Sequence, residues 1–403
     1  VTDVVQGITD QCDRSEGNSH DDLQTAQCCI EQHGPAECLA VVAVVVMMFQ
    51  STLAPRDMMV SALPSLPSPP LALPCPLSAG WELIHNLDLP GKGVDGVQLG
   101  GFSAVAYQRD GDRLWLLSDA AKGYLVSFKG LSRFLQGVQG SLQGGRRLLL
   151  RDREGLPLPQ AFDGEGLVLD GDQIWIVREG RRRPLRRAKL QSYALSNGRL
   201  QREVPLPRAW QEIEGQGLAS NKGPEALTLT ATGDLLMAAE APLIQDRAHL
   251  GRDWVRLARL RPGSDQLTEL LVGVEIGPAG AASTRKLGLT ELLALGDDSA
   301  VLALLRSFAF PEGWSAHLQV LRLPTEEPAA PAPPIQPLHR WDLLAAGLPA
   351  SNWEGMAWGP QLNDGRITLL VASDDGFNPL LSSWLSVLAP RRGPDCVPDR
   401  FAF

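Results

Sequence analysis

Residues 162–180 read FDGEGLVLDGDQIWIVREG, from Phe162 to Gly180. Two short apolar runs, Gly166–Leu169 and Ile174–Val177, flank the turn Asp170-Gly171-Asp172, and that alternation of strand-like run and tight turn is the signature of a β-hairpin. Glu165 opens the first run and Glu179 closes the second. Because the start of one hairpin strand lies beside the end of the other, the two carboxylates are expected at the same end of the hairpin.

The pattern recurs. GFSAVAYQRDGDRLWLLSDA from Gly101, KGPEALTLTATGDLLMAAEA from Lys222, LGLTELLALGDDSAVLALLRS from Leu287 and NWEGMAWGPQLNDGRITLLVASDD from Asn352 align with it. Anchored on Ser103, Glu165, Glu225, Glu291 and Glu354, the spacings are 62, 60, 66 and 63 residues. A period this regular predicts a repeat architecture. Two further strands are expected in each unit, as at Lys189–Leu195 and Leu200–Leu206 around the turn Asn197-Gly198. Four strands per unit make a propeller blade, and radial repetition protects the sheet edges. The last unit supplies only a third strand, Ser383–Ala389, and the orphan strand Trp81–Leu89 can complete it. The reading is therefore an all-β propeller closed by pairing of its N- and C-terminal strands. It has five blades, or six if the Gly-rich stretch 129–160 hides another sheet. Pro324–Pro337, with six prolines, reads as a surface insertion within the fourth unit.

The 40 Gly and 31 Pro among 403 residues exclude a helical bundle or coiled coil. The net charge of −9 argues against nucleic-acid binding, and it is unevenly placed. Residues 1–80 carry nine acidic residues against Arg14 and Arg56, leaving only −2 for the rest. Residues 1–60 read as a leader, 61–80 as a Pro-rich linker, 81–396 as the folded domain and 397–403 as a tail. The apolar run 39–49 is too short for a membrane span, which needs about twenty residues, but has the length of a signal-peptide core. The acidic stretch ahead of it is explained if Met47, Met48, Met58 or Met59 is the true start. Export to the periplasm or extracellular space is expected, and a cytoplasmic location if the leader is not a signal. Cys75 and Cys396 flank the closing strands and are expected to form a disulfide in an exported chain, the alternative being two thiols at frayed ends.

In a propeller the first strand of each blade lines the central channel. Glu165, Glu225, Glu291 and Glu354, at the strand starts, and Asp119, Glu179, Glu240, Asp374 and Asp375, at the second-strand ends, should thus gather at one rim. Lys222, Arg178 and Arg306 are interleaved with them. Oxygen ligands without His or Cys suit a hard cation, Ca²⁺ before Mg²⁺. The opposing reading is that the strand-start glutamates accept backbone N–H bonds from the neighbouring blade and stitch the ring together. The basic run REGRRRPLRRAK (Arg178–Lys189) is either an electrostatic funnel for an anionic substrate or a solvated loop. Gly91–Gly96 matches GxGxxG but is a loop, and neither a GxSxG elbow nor an HExxH zinc motif occurs.

DGEGLVL, NKGPEALTL, TELLAL and NWEGMAWGPQLNDGRITLLVASDD, in this order, resemble the phytase-like domain family, also described as having an esterase-like activity of phytase. The resemblance runs from about Trp81 to Pro390. It implies a β-propeller, usually exported, with phosphoesterase activity. Glu165, Asn221, Lys222, Glu225, Glu291, Arg306, Glu354 and Asp374 fall on the family's motif positions, whereas Leu305 stands where an acid is common and Gly180 where an aromatic is common. The implied chemistry is Ca²⁺-assisted hydrolysis of a small phosphorylated molecule by a monomer without a membrane span. Asp119, Glu165, Glu179, Glu291, Glu354, Asp374 and Asp375 would supply metal ligands. Lys222, Arg306, Arg178 and Asn221 would bind substrate, and Glu225 or Glu240 would take the water proton. The alternatives are a non-catalytic propeller binding a ligand or partner, and a glycosidase using rim carboxylates.

Overall fold

The computed structural model describes residues 80–138, 140–158, 162–247, 254–277, 286–296, 299–324, 328 and 330–392. The leader 1–60, the linker up to residue 79, the tail 397–403 and the pair Cys75 and Cys396 lie outside the described residues. Apart from the hairpin tip Phe308–Glu312, the described residues belong to one compact unit.

After strand β1 (Trp81–Asp88) the chain lays down four four-stranded sheets in succession. The first contains β2 (Phe102–Gln108), β3 (Arg113–Ser118), β4 (Tyr124–Lys129) and β5 (Gln143–Leu149). The second contains β6 (Gly164–Asp170), β7 (Gln173–Arg178), β8 (Lys189–Ala194) and β9 (Leu200–Pro205). The third contains β10 (Pro224–Leu229), β11 (Leu235–Ala239), β12 (Trp254–Leu260) and β13 (Thr268–Glu275). The fourth contains β14 (Gly288–Ala294), β15 (Ala300–Ala309), β16 (Gly313–Arg322) and β17 (His339–Asp342). The fifth is built from β18 (Asn352–Gln361), β19 (Ile367–Asp374) and β20 (Trp384–Pro390), with β1 completing it in the order β1-β20-β19-β18.

The strands β2, β6, β10, β14 and β18 touch one another in a closed ring, so the first strand of each sheet lines the centre. Five hydrophobic clusters fill the five gaps between neighbouring blades, and together they are the core of the propeller. Leu114, Leu116 and Val126 meet Leu370, Leu385 and Val387 in one of them. Trp353, fully buried, packs with Leu302, Leu318 and Val320 in another and donates its indole N–H to the Pro349 carbonyl at 2.9 Å. Burying a side chain of this kind contributes roughly 2–3 kcal/mol. The stretch 129–160 supplies one short helix, Leu131–Leu135, and the fourth strand of its own blade, which leaves five blades and no sixth among the described residues.

Ring closure has its own clasp. β1 pairs antiparallel with β20 from Trp81↔Pro390 to Asp88↔Trp384. Arg366, 9 % exposed, donates to Glu82 on β1, to the Pro390 carbonyl at 2.8 Å and to Asp364 at 2.9 Å, so one guanidinium joins both chain ends to the fifth blade. The Pro-rich insertion also has a place. Ala332 and Ile335 donate to Leu271 and Gly273 at 2.8 Å each, covering the outer edge of β13 that would otherwise present unpaired backbone groups.

Candidate active site at the channel rim

Every first hairpin carries a β-bulge at the same place. The ladder skips Ser103, Glu165, Glu225, Thr290 and Glu354, one residue in each blade. A bulge twists the strand and re-aims the extra side chain. Just past the pairs Phe102↔Ser118, Gly164↔Arg178, Pro224↔Ala239, Leu289↔Leu305 and Trp353↔Ser373, the next residues of the second strands are Asp119, Glu179, Glu240, Arg306 and Asp374, and only in the fourth blade does the strand run on, to Ala309. Two rings of five equivalent positions therefore face each other at the rim. One reads Ser, Glu, Glu, Thr, Glu and the other Asp, Glu, Glu, Arg, Asp.

This register corrects the placement of Glu291. Thr290, not Glu291, occupies the bulge of the fourth blade. Glu291 is one residue further on, and its Oε1 accepts the backbone N–H of Leu227 in the neighbouring blade at 2.9 Å and that of Leu292 at 3.0 Å. It is a stitch between blades. The two hydroxyl positions stitch as well: Ser103 Oγ donates to the Gly164 carbonyl at 2.6 Å, and Thr290 Oγ1 to the Trp353 carbonyl at 3.3 Å. Each holds the residue immediately before the next blade's bulge glutamate, Glu165 and Glu354 respectively.

Second-strand ends lean across blade boundaries. Glu179 Oε1 accepts the Gly223 N–H at 2.6 Å, and a Cβ at Gly223 would collide with its side chain. Glu240 lies equally close to Gly288. Asp375 Oδ1 accepts from Gly101 at 2.8 Å and from Phe377 at 2.9 Å, while its Oδ2 accepts from Ser383 at 2.8 Å, so this carboxylate is occupied by donors. Asp374 accepts the Gly376 N–H at 2.7 Å.

Arg306 is the centre of one charge cluster. Its guanidinium lies 3.1 Å from Glu354, 3.3 Å from Glu240 and 3.9 Å from Glu225. Lys222 Nζ lies 3.1 Å from the same Glu240 oxygen, and Asn352 donates to Glu354 at 2.7 Å. Burial and the neighbouring Glu240 push the Glu225 carboxyl well above its usual range. Burial would raise Glu240 too, but Lys222 and Arg306 outweigh it and hold Glu240 below the usual carboxylate value. Glu225 thus holds a proton more readily than its neighbour Glu240. Glu354 is pushed up to about 8 by burial and by Asp374, against the pull of Arg306. Asp119 reaches about 9 through burial and the charges of Asp374 and Glu354.

The second cluster is Asp163, Glu165 and Glu179, each offering an oxygen within 4.8 Å of the others. Burial and mutual repulsion raise Glu165 well above its usual range, and Glu179 to about 8 through burial and Asp163. Asp163 adopts a left-handed backbone conformation at φ 61° and pairs with Arg186. The donor set suits a hard cation: three carboxylates and no nitrogen or sulfur. Among the described residues, Asp119 Oδ1, Glu225 Oε2, Glu240 Oε2 and Asn352 Oδ1 are buried at this rim without a hydrogen-bond partner, an expensive arrangement unless a ligand meets them.

Of the expected site residues, the structure brings Asp119, Glu165, Glu179, Lys222, Glu225, Glu240, Arg306, Glu354, Asp374 and Asp375 to the rim. Asn221 is exposed at the left-handed corner (φ 53°) of the turn ahead of Lys222. Arg178 precedes Glu179 but donates to the Arg187 carbonyl at 3.4 Å, over its own blade. In the basic loop, Arg182 is consumed by the carbonyls of Leu218, Ile213 and Gln216. Gly180 stands where an aromatic was expected because the Glu212 carboxylate fills that space and accepts the Ala188 N–H. Leu305 is buried in an inter-blade cluster. Asp163 was missed by sequence reasoning. Its signal was its place two residues before the anchor, where the last repeat carries the polar Asn352.

The model of the phytase-like family, described as esterase-like activity of phytase, matches residues 97–377. The chain belongs to that family. No curated protein matches it. Among solved structures it is similar to a putative oxidoreductase (glucose dehydrogenase) from Thermus thermophilus, with 12 % identity, 75 % of this chain, 99 % of that one and a TM-score of 0.36. It is also similar to the periplasmic gluconolactonase of Pseudomonas aeruginosa (14 %, 72 %, 86 %, 0.37) and an α-L-arabinofuranosidase from Lactobacillus brevis (10 %, 73 %, 94 %, 0.41), in the same order of quantities. Likeness this faint carries nothing about the chemistry of the phytase-like chain.

Proposed function

We propose that this phytase-like propeller is a metal-assisted phosphoric-ester hydrolase acting on a small anionic phosphorylated molecule at the channel rim. The observation that carries the reading is the pairing of two unlike clusters on one rim: the carboxylates Asp163, Glu165 and Glu179, and the cationic pair Lys222 and Arg306. Asp163, Glu165 and Glu179 would hold the metal, with the unpartnered Asp119 oxygen as a further donor. Ca²⁺ fits their all-oxygen character better than Mg²⁺, which demands a stricter octahedron. When bound, the ion would polarise phosphoryl oxygens and acidify water.

The chain's own residues do the rest. Lys222, 26 % exposed, offers its ammonium to a phosphoryl oxygen. Arg306 is committed to Glu225, Glu240 and Glu354 and acts chiefly by keeping those carboxylates in place. Glu240, ionised, accepts a proton from the attacking water as its oxygen bonds to phosphorus. Glu225, protonated, gives its proton to the leaving oxygen as the ester P–O bond breaks. Divergent proton affinities in adjacent carboxyl groups are the usual basis of such a division of labour.

The test is hydrolysis of glycerol 2-phosphate, whose alkoxide leaving group needs a proton, with and without Ca²⁺, alongside Glu225→Gln. We expect metal-dependent turnover that the variant reduces at least about 100-fold; metal-independent turnover or an unaffected variant would overturn the reading. A non-catalytic binding propeller is the second reading, favoured by Leu305, which puts a core residue where an acid could have stood beside Arg306. Ca²⁺ binding without turnover of any phosphoester would favour it. Export and a monomeric state are part of the proposal.

A further inference from the structure

The loop between β19 and β20 carries an aromatic residue in a conformation that side chains avoid. Phe377 has φ 55°, directly after Gly376, also at φ 55°. A bulky residue in the left-handed region is strained, so the surrounding structure must enforce it. Enforcement is visible. Asp375 Oδ1 accepts the Phe377 N–H and the Gly101 N–H, and Asp375 Oδ2 accepts from Ser383, which ties the start of the loop to the first blade and to the loop's own far end. Gly376 donates to Asp374, Asn378 N–H to the Asp375 carbonyl at 2.9 Å, and Leu380 N–H to Asn378 Oδ1 at 3.0 Å.

What the clamp holds in place is a ring at the rim. A Cβ on Gly101 would overlap both the edge of the Phe377 ring and Asp119 Oδ1. Ring edge and carboxylate oxygen therefore lie within van der Waals reach of each other over Gly101, whose φ of 61° and missing side chain make the approach possible. That same Asp119 oxygen is buried and has no hydrogen-bond partner among the described residues. Phe377 is 36 % exposed, and Leu380 beside it 89 %. A partly exposed aromatic ring thus borders an otherwise charged rim.

We infer that Phe377 is a specificity-determining residue, an aromatic wall that selects phosphoesters whose organic group presents a flat or apolar face next to the phosphate. The inference rests on the proposed phosphoester site. A phosphate engaged by Lys222 and the carboxylate-bound cation leaves its organic group to leave the rim past a neighbouring wall. Polar surroundings elsewhere on the rim would favour a hydrophilic group, whereas the Phe377 face rewards a stacked ring.

The experiment compares the full chain with Phe377→Gly, which removes the ring and relieves the backbone strain, and Phe377→Leu, which keeps apolar bulk. Probes are phenylphosphonate and methylphosphonate, followed by calorimetry with Ca²⁺ present, and hydrolysis of 4-nitrophenyl phosphate against glycerol 2-phosphate. Expected is a loss of about tenfold in phenylphosphonate affinity and a matching rise in KM for the aryl ester in Phe377→Gly, with the methyl and glycerol probes unchanged. Phe377→Leu should fall between, and the melting temperature of Phe377→Gly should not drop. Equal change for both probe classes, or none, would overturn the inference while leaving the hydrolase intact. Selective phenylphosphonate binding without turnover of either ester would uphold the wall and remove the hydrolase. A wild-type chain that binds neither phosphonate would overturn the wall.

Discussion

The guanidinium of Arg306 donates to Glu354 at 3.1 Å across the boundary between the fourth and fifth blades. It stands at the register position that Asp119, Glu179, Glu240 and Asp374 hold in the other four blades. One cation in a ring of carboxylates does what none of the carboxylates can: burial lowers its affinity for the proton, yet Glu240, Glu225 and Glu354 more than reverse this, so it is charged at every relevant pH. Replacing Arg306 with Met should leave Glu354 and Glu225 without a neighbouring cation and Glu240 with Lys222 alone. Breaking a buried ion pair of this kind costs about 3–5 kcal/mol. The loss should be larger at pH 8 than at pH 5, where the carboxyls can take up protons. Urea unfolding at both pH values checks it, and equal loss at the two would show that the charge is not what matters.

A pH dependence follows from Glu354. Its proton affinity is raised from the usual 4.5 to about 8, burial acting first and Asp374 second. Between those values the folded protein keeps a proton that the unfolded chain releases. The stabilisation is therefore complete below about 4.5 and is lost as the pH rises towards 8. Asp119, at about 9 for similar reasons, extends the loss upward. In the absence of divalent cations the melting temperature should fall by several degrees between pH 5.5 and pH 8.5. Glu354→Gln, which retains the shape and cannot ionise, should flatten that slope; a variant as pH-sensitive as the parent would contradict the assignment.

The two hydroxyl stitches differ in what they support. Ser103 holds the carbonyl before Glu165, a proposed metal ligand, whereas Thr290 holds the carbonyl before Glu354, which faces Arg306. Ser103→Ala and Thr290→Val should each cost about 1 kcal/mol of stability, the value of a buried hydrogen bond. Only Ser103→Ala should also weaken Ca²⁺ binding, by about threefold to tenfold, in the way that orienting groups behind metal ligands usually act. Calorimetric titration of both variants separates the two; identical Ca²⁺ affinities would leave Ser103 as a structural stitch alone.

How far the sequence carried is instructive at single positions. The hairpins, their period and the closing strand were readable because turn residues and apolar runs are local signals. Thr290 and Glu291 were not separable, since a bulge decides which of two adjacent residues turns inward and no residue type marks it. Asp163 escaped because it lies in the connection ahead of a strand, where only the fold brings it to Glu165 and Glu179. Nor could Phe377 be singled out, because its role depends on Gly101, more than 270 residues earlier in the chain, through Asp375.

The last prediction concerns closure of the ring. Arg366 binds Glu82 on the N-terminal strand and the Pro390 carbonyl on the C-terminal strand at once. The hydrogen bonds between β1 and β20 alone give the closure no more hold than any other strand pair, and the chain ends are where fraying starts. Arg366→Met preserves the buried methylene stem and removes the clasp, leaving Glu82 and Asp364 without their main partner. A loss of about 2–3 kcal/mol is expected, with the amide hydrogens of Leu83–Leu87 exchanging faster by at least tenfold while those of β6 and β10 change only with global stability. Uniform acceleration across all blades would mean that the ring opens as a whole and that Arg366 has no special hold on the seam.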